Sequence, residues 1–266
     1  MNKPSFIQPF PYRIEDHMDT VGSSPVTHHV IPETPPWHLV QPEVDLSLTF
    51  SKKDSMSALT IRSEFEDALD SYPVSTVFYT DGSKSEDSVA RSFFSSRLKL
   101  KMKLPVQMSV FTSEIIAILS ALKCLEADNE QHQFVICSDS LSAIMAIHGM
   151  DVHHPYVLQV LYAIKSISQQ EKIVVFMWCP SHVGIPGNEM AHTLAEKALS
   201  STNLAELPVP ASDLRGLIKK YIRSQWQHEW EEQHNNKLHS IHPTIGPWPP
   251  CQREKRREEI VLVRIV

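Results

Sequence analysis

Residues 74–83 read VSTVFYTDGS, a β-branched and aromatic run from Val74 to Thr80 that stops at Asp81-Gly82-Ser83. Such side chains suit a pleated strand and Asp-Gly is turn chemistry, so the run predicts a strand closed by a turn. Working downstream, Ser88 to Phe94 and Leu98 to Leu104 predict the two strands of a hairpin. In the second, Leu98, Leu100, Met102 and Leu104 share one face, and Lys99, Lys101 and Lys103 the other. Ile115, Ile118, Leu119, Leu122 and Leu125 recur at helical spacing and predict a helix over 113–125 capped by Ser113. Phe134 to Cys137 predicts a short buried strand, ending at Ser138-Asp139-Ser140 and followed by a helix through Leu141, Ile144, Met145 and His148. Another helix is expected over Tyr156 to Ser166 and a strand over Ile173 to Trp178. The loop CPSHVGIPGN then leads into a helix with Ala191, Leu194, Ala195 and Ala198 on one face. The order βββαβαβα, with its strand–helix–strand units, implies an α/β fold with a parallel portion in a mixed sheet.

Outside this region the chain changes character. Eight of its 19 prolines lie in the first 42 residues, so residues 1–71 read as a proline-rich linker or tail, largely irregular. Within them, 43–70 has room for a short strand and a helical turn. Residues 72–200 form the expected domain. Residues 201–266 read as a helical and irregular extension, with an amphipathic helix over Asp213 to Gln233 that carries Trp226 and Trp230. The 266 residues suffice for one sizeable core plus flanks. No apolar run approaches the ~20 residues of a membrane span, and the N-terminus lacks a signal-peptide core, so no membrane partner is expected. Cys124, Cys137, Cys179 and Cys251 form no CxxC pair, which argues for a reducing compartment and an intracellular protein of cytoplasm or nucleus. A net charge of −6 excludes binding of phosphate by bulk attraction, so any nucleic-acid contact must be local.

Asp81 and Asp139 each follow a short apolar strand, at the sheet edge where ligands collect in open α/β folds. Glu114 opens an apolar helix between them. If the first and fourth strands are neighbours, the three carboxylates converge, and such a cluster needs a cation of the hard, oxygen-seeking kind, Mg²⁺ or Mn²⁺. Taken singly, each has an ordinary structural account as turn residue, helix cap or dipole partner.

The surrounding blocks add to that reading. Tyr79-Thr80-Asp81-Gly82-Ser83, Thr112-Ser113-Glu114, Ser138-Asp139-Ser140-Leu141-Ser142-Ala143, and Trp178 to Glu189 (WCPSHVGIPGNE) resemble, in order, the type 1 ribonuclease H family. The likeness is closest to domains carried by non-LTR retrotransposon polyproteins of the jockey-like kind. It implies a ribonuclease H-like fold, a mixed five-stranded sheet flanked by helices, and endonucleolytic cleavage of the RNA strand in RNA–DNA hybrids. It also implies two Mg²⁺ (or Mn²⁺) ions acting on in-line displacement at phosphorus, held by Asp81, Glu114 and Asp139. His182 matches the family's loop histidine, which assists proton movement or product departure. Gly82, Ser83, Ser140 and Asn188 are the expected substrate contacts, reading 2′-hydroxyls and groove width rather than sequence. The implied partners are the hybrid and a reverse transcriptase encoded upstream in the parent element. The chain itself reads as a monomer and as a truncated or fragmentary retroelement product.

The fourth family carboxylate is missing. Gly187-Asn188-Glu189-Met190-Ala191-His192 places a histidine where the family carries Asp. His192 is therefore the expected fourth catalytic and metal position, with an imidazole that prefers softer ions than Mg²⁺. The second strand, Ser88 to Phe93, is also bulkier than the family's. From Arg91 to Ser113 the chain carries five basic and no acidic residues, which read better as lysines guarding an edge strand than as a phosphate-facing patch. Two functions remain in view: a metal-dependent hybrid endonuclease of reduced activity, and a catalytically silent hybrid-binding module on the same fold.

Overall fold

The computed structural model describes residues 25–27, 31–50 and 56–247. Expectations placed on 1–24, 28–30, 51–55 and 248–266 lie outside the described residues. In chain order the elements are β1 (Val26–Thr27), β2 (Glu43–Asp45), α1 (Ala58–Leu69), β3 (Thr76–Lys84), β4 (Val89–Ser95), β5 (Lys99–Leu104) and α2 (Val110–Ala127). There follow β6 (Gln133–Ser138), α3 (Leu141–His148), α4 (Pro155–Gln169), β7 (Ile173–Trp178), α5 (Pro186–Leu199), β8 (Val209–Pro210), α6 (Ala211–Glu231) and α7 (Lys237–Ile241).

The main sheet runs β2-β7-β6-β3-β4-β5. β2, β7, β6 and β3 are parallel, and the β3–β4–β5 meander is antiparallel. The mixed sheet flanked by helices is as expected, with one correction: it has six strands rather than five. The sixth is Glu43–Asp45, which pairs Val44 with Phe176 along β7. It falls in the 43–70 stretch where a short strand had room, but three residues with two carboxylates carry no apolar alternation that would have placed it in the sheet.

α2 is apolar almost all round because it lies between the sheet and α4, with Ile115 to Leu119, Leu122 and Leu125 buried. Its cap is Ser109, whose hydroxyl accepts from the Thr112 amide. The expectation of Ser113 is corrected: Ser113 sits inside the helix with its hydroxyl on the Val110 carbonyl. On the opposite face α5 crosses β3, β4 and β5. Its buried side is Ala191, Ala195 and Ala198, small enough for Ser92 Oγ to reach the Ala191 carbonyl at 2.5 Å.

The N-terminal segment contributes a cluster of its own on the α5 face. Leu48 and Phe65 pack with Val135, Cys137, Met177, Cys179 and Ile185. Tyr72 donates its hydroxyl to Asp45 at 3.1 Å, which ties β2 to the start of the domain. Residues 201–210 likewise join this unit: on the edge strand β5 the Lys103 amide donates to the Asn203 carbonyl and the Lys103 carbonyl accepts from the Ala205 amide, and Tyr156 donates to the Pro208 carbonyl at 2.7 Å.

The five basic residues of 91–113 do not share one environment in the fold. Arg91 is buried with a guanidinium nitrogen on Ser120 Oγ, and Arg97 pairs with Glu130. β5 is the sheet's edge, with Lys99 and Lys101 exposed on it. Residues 215–266 form a second unit, described to 247. There Trp230 donates its indole N–H to the His242 carbonyl at 2.9 Å, while Trp226 is exposed. Among the described residues no helix is long and apolar enough to cross a membrane.

Candidate functional site

The register of two parallel strands builds the first half of the site. Thr80 on β3 is paired with Ser138 on β6, so Asp81 and Asp139 stand side by side, each one residue further along. Glu114 comes from the second turn of α2, and Gly82 lets it approach. A Cβ at Gly82 would lie 2.5 Å from Ser113 Oγ and 2.6 Å from the Glu114 nitrogen, so no larger residue fits without moving the helix. The Gly82 backbone then hydrogen-bonds the Glu114 carboxylate. Gly82, expected against substrate, is thus a buried residue of β3 on which α2 rests.

Asp81 and Glu114 are 4% and 5% exposed, Asp139 is half-buried, and each offers an oxygen within 4.8 Å of the other two. Asp81 Oδ2 and Glu114 Oε2 are buried without a hydrogen-bond partner. Asp139 is oriented from two sides. Its backbone carbonyl accepts the Trp178 indole N–H at 3.1 Å, and its Oδ2 accepts from Asn188 Nδ2 at 3.4 Å. Asn188 is itself buried at the start of α5, where its Oδ1 meets the Cys179 thiol at 3.6 Å. The residue expected to face substrate therefore holds a carboxylate in place.

α5 can bring Asn188 so near because Gly187 lies against the Tyr79 ring. A Cβ there would come within 2.1–2.5 Å of three ring carbons. Gly187→Ala is expected to cost about 1–3 kcal/mol by forcing the ring or the helix aside. A thermal melt lowered by several degrees checks it.

Farther along α5, His192 presents Nδ1 3.5 Å from Asp81 Oδ1, and Nε2 3.3 Å from Glu196 Oε1. His182 stacks edge-on against it, ring centroids 5.2 Å apart. His182 is exposed in the 179–185 loop with φ +57°, a left-handed conformation that costs a non-glycine residue energy. Ser140 caps α3 by accepting from the Ala143 amide, one residue beyond Asp139. Ser83, half-buried, follows Gly82 on β3. Asp81, Glu114, Asp139, Asn188, His192 and His182 thus share one locality, with Ser140 and Ser83 next to it in sequence. Glu196, Cys179 and the Tyr79–Gly187 contact went unread, although Glu196 lies four residues after His192, a spacing that places two side chains on one helix face.

Crowded, dehydrated carboxylates resist ionising. Burial first, then the neighbouring Asp139, raises Asp81 to about 6, against the opposing pull of His192. Glu114 is pushed well above the usual range by burial and by both aspartates, with the Gly82 hydrogen bond opposing. A carboxyl whose folded pKa exceeds its unfolded value binds protons more tightly when folded, so stability falls as pH rises between the two. For Asp81 that window is 3.8 to about 6, worth about 3 kcal/mol. The ion-free protein is expected to lose stability from pH 4 to pH 6, and millimolar Mn²⁺ to restore it most at neutral pH. Denaturant melts in chelator and in Mn²⁺ check this; a chelated protein gaining stability over that window would contradict it.

Two orphaned buried carboxylate oxygens and a third carboxylate within reach fit a divalent cation, and their hardness suits Mg²⁺ or Mn²⁺. Comparison with known families agrees: residues 73–200 match the family described as RNase H. Among curated proteins, nothing matches the chain. The matched segment spans β3 to α5 and carries all three clustered carboxylates, so the similarity to the RNase H family falls on the part of the chain that builds the site.

Proposed function

We propose that this domain hydrolyses the RNA strand of RNA–DNA hybrids with two divalent ions, at a rate lowered by the histidine at its fourth position. The observation that carries the reading is the convergence of Asp81, Glu114 and Asp139 within 4.8 Å inside an RNase H domain. Bound at these residues, divalent ions would supply an activated water and charge stabilisation at the leaving oxygen. Asp81 and Glu114 supply buried charge, and Asp139 supplies a carboxylate oriented by Trp178 and Asn188. His182 stands on the exposed side, free of burial, where it can take or return a proton. Ser83, Ser140 and the backbone beside them contact the hybrid without reading its sequence. We read the parent as a non-LTR retroelement that supplies the reverse transcriptase whose hybrid this domain degrades, with the protein acting inside the cell as a monomer.

His192 favours a second reading. It brings a nitrogen to Asp81 where the family supplies another oxygen, which suits a module that holds hybrid without cutting it. One substitution separates the two. His192→Asp is expected to raise Mg²⁺-supported cleavage of a labelled hybrid at least about tenfold, and to narrow the preference for Mn²⁺. If the wild type cleaves in neither ion and only the variant does, the silent module is correct. Should neither protein cleave, the nuclease reading is lost.

A further inference from the structure

We propose that His192 and Asp81 are the ligating pair of a mixed nitrogen–oxygen position selecting a first-row transition dication, with Glu196 as the residue that positions the imidazole. The inference rests on the nuclease reading for its location but not for its argument, which is the geometry around one ring.

A neutral imidazole has one N–H and one lone pair, and here each nitrogen faces a carboxylate. Metal-bound histidines commonly give their second N–H to a carboxylate, which sets the tautomer and raises the basicity of the ligating nitrogen. Glu196, 3.3 Å from Nε2, stands where that acceptor belongs. With the N–H held there, Nδ1 is the nitrogen left with a lone pair, and it lies 3.5 Å from Asp81 Oδ1. Two ligand atoms each about 2.1 Å from one ion stand roughly 3–3.5 Å apart, so this separation suits a shared cation. The second oxygen of Asp81 and one of Glu114 are buried and unpartnered beside it, which an ordinary surface pair on a helix would not provide. A surface His–Glu pair four residues apart accounts for the Glu196 contact, and a hydrogen bond to Asp81 Oδ1 for the other nitrogen; neither accounts for the buried, unpartnered oxygens of Asp81 and Glu114 beside them. His182, edge-on to the ring, restricts its rotation from the remaining side.

Imidazole ranks cobalt, nickel and zinc well above magnesium, so exchanging a carboxylate for His192 moves the position from hard to borderline ions. Glu196 is exposed and tolerates replacement, which makes the test clean.

Calorimetric titration of the full chain with Co²⁺ and with Mg²⁺ tests the proposal, for wild type, Glu196→Gln and His192→Asp. Glu196→Gln is expected to weaken Co²⁺ about tenfold and leave Mg²⁺ within about twofold. His192→Asp should weaken Co²⁺ and tighten Mg²⁺, and the visible band of bound Co²⁺ should lose its nitrogen-ligand character. Equal effects of Glu196→Gln on both ions, or none on either, would overturn the role of Glu196. An unchanged Co²⁺ affinity in His192→Asp would overturn the nitrogen ligand. These readouts need no hybrid. A protein that shows the ion pattern yet never cleaves keeps this inference and loses the nuclease reading, and one that cleaves without the pattern does the reverse.

Discussion

Asp139→Asn is expected to abolish hybrid cleavage, by about 10²–10³-fold or more, without loss of fold. Asparagine keeps the shape of the side chain and removes its charge. The residue is half-buried at the end of β6 and repels two dehydrated neighbours, so neutralising it relieves the cluster. The protein should therefore melt no lower, and in chelator higher, than wild type. The Trp178 contact is to the Asp139 backbone carbonyl and survives the change, so the strand end keeps its place. Initial rates on a labelled hybrid in saturating Mn²⁺, beside melts of both proteins, separate chemistry from folding. A rate within tenfold of wild type at unchanged stability would remove Asp139 from the reaction.

Phe65→Ala is expected to destabilise the protein by about 3–5 kcal/mol, although Phe65 lies outside the matched family segment. Its side chain is 2% exposed and belongs to the cluster that roofs β6 and β7 over Val135, Cys137 and Met177. Its ring also meets that of Tyr79, centroids 6.3 Å apart, and Tyr79 is the ring on which Gly187 rests. A cavity there loosens the wall that sets α5, and with it Asn188 and His192. Urea denaturation gives the midpoint, whose fall at unchanged slope marks lost stability. A loss below about 1 kcal/mol would mean that α1 contributes little to the fold.

The parts of this molecule that burial dictates were legible beforehand. The VSTVFYT run, the alternating LKLKMKL strand and the Ile and Leu periodicity of α2 each bury a face, and composition records burial. Asp139 could be placed just past a strand end for the same reason, whereas Asp81-Gly82-Ser83, expected as a turn, lies within β3, which runs on to Lys84 because β4 pairs with it; the adjacency of the two aspartates followed once β3 and β6 paired. A short strand had room within 43–70, but that Glu43–Asp45 joins the main sheet was not legible, because a strand of three is held by backbone pairing to β7 rather than by its side chains. Choosing Ser109 over Ser113 as the cap required knowing that Val110 and Phe111 already turn helically. The roles of Gly82 and Gly187 depend on another element's atoms a few ångströms away, which no local pattern contains. Asn188 was singled out for the right neighbourhood, but its hydrogen bond to Asp139 joins residues 49 apart in the chain and no local pattern holds it.

The clustered carboxylates are expected to make this domain a nuclease for hybrids. The measurement that bears on this most directly offers the full chain in Mn²⁺ one labelled RNA strand, alone, paired with RNA and paired with DNA. The expected result is cleavage within the RNA–DNA hybrid only, lost in chelator. Cleavage of all three substrates alike, or of none, would contradict the account.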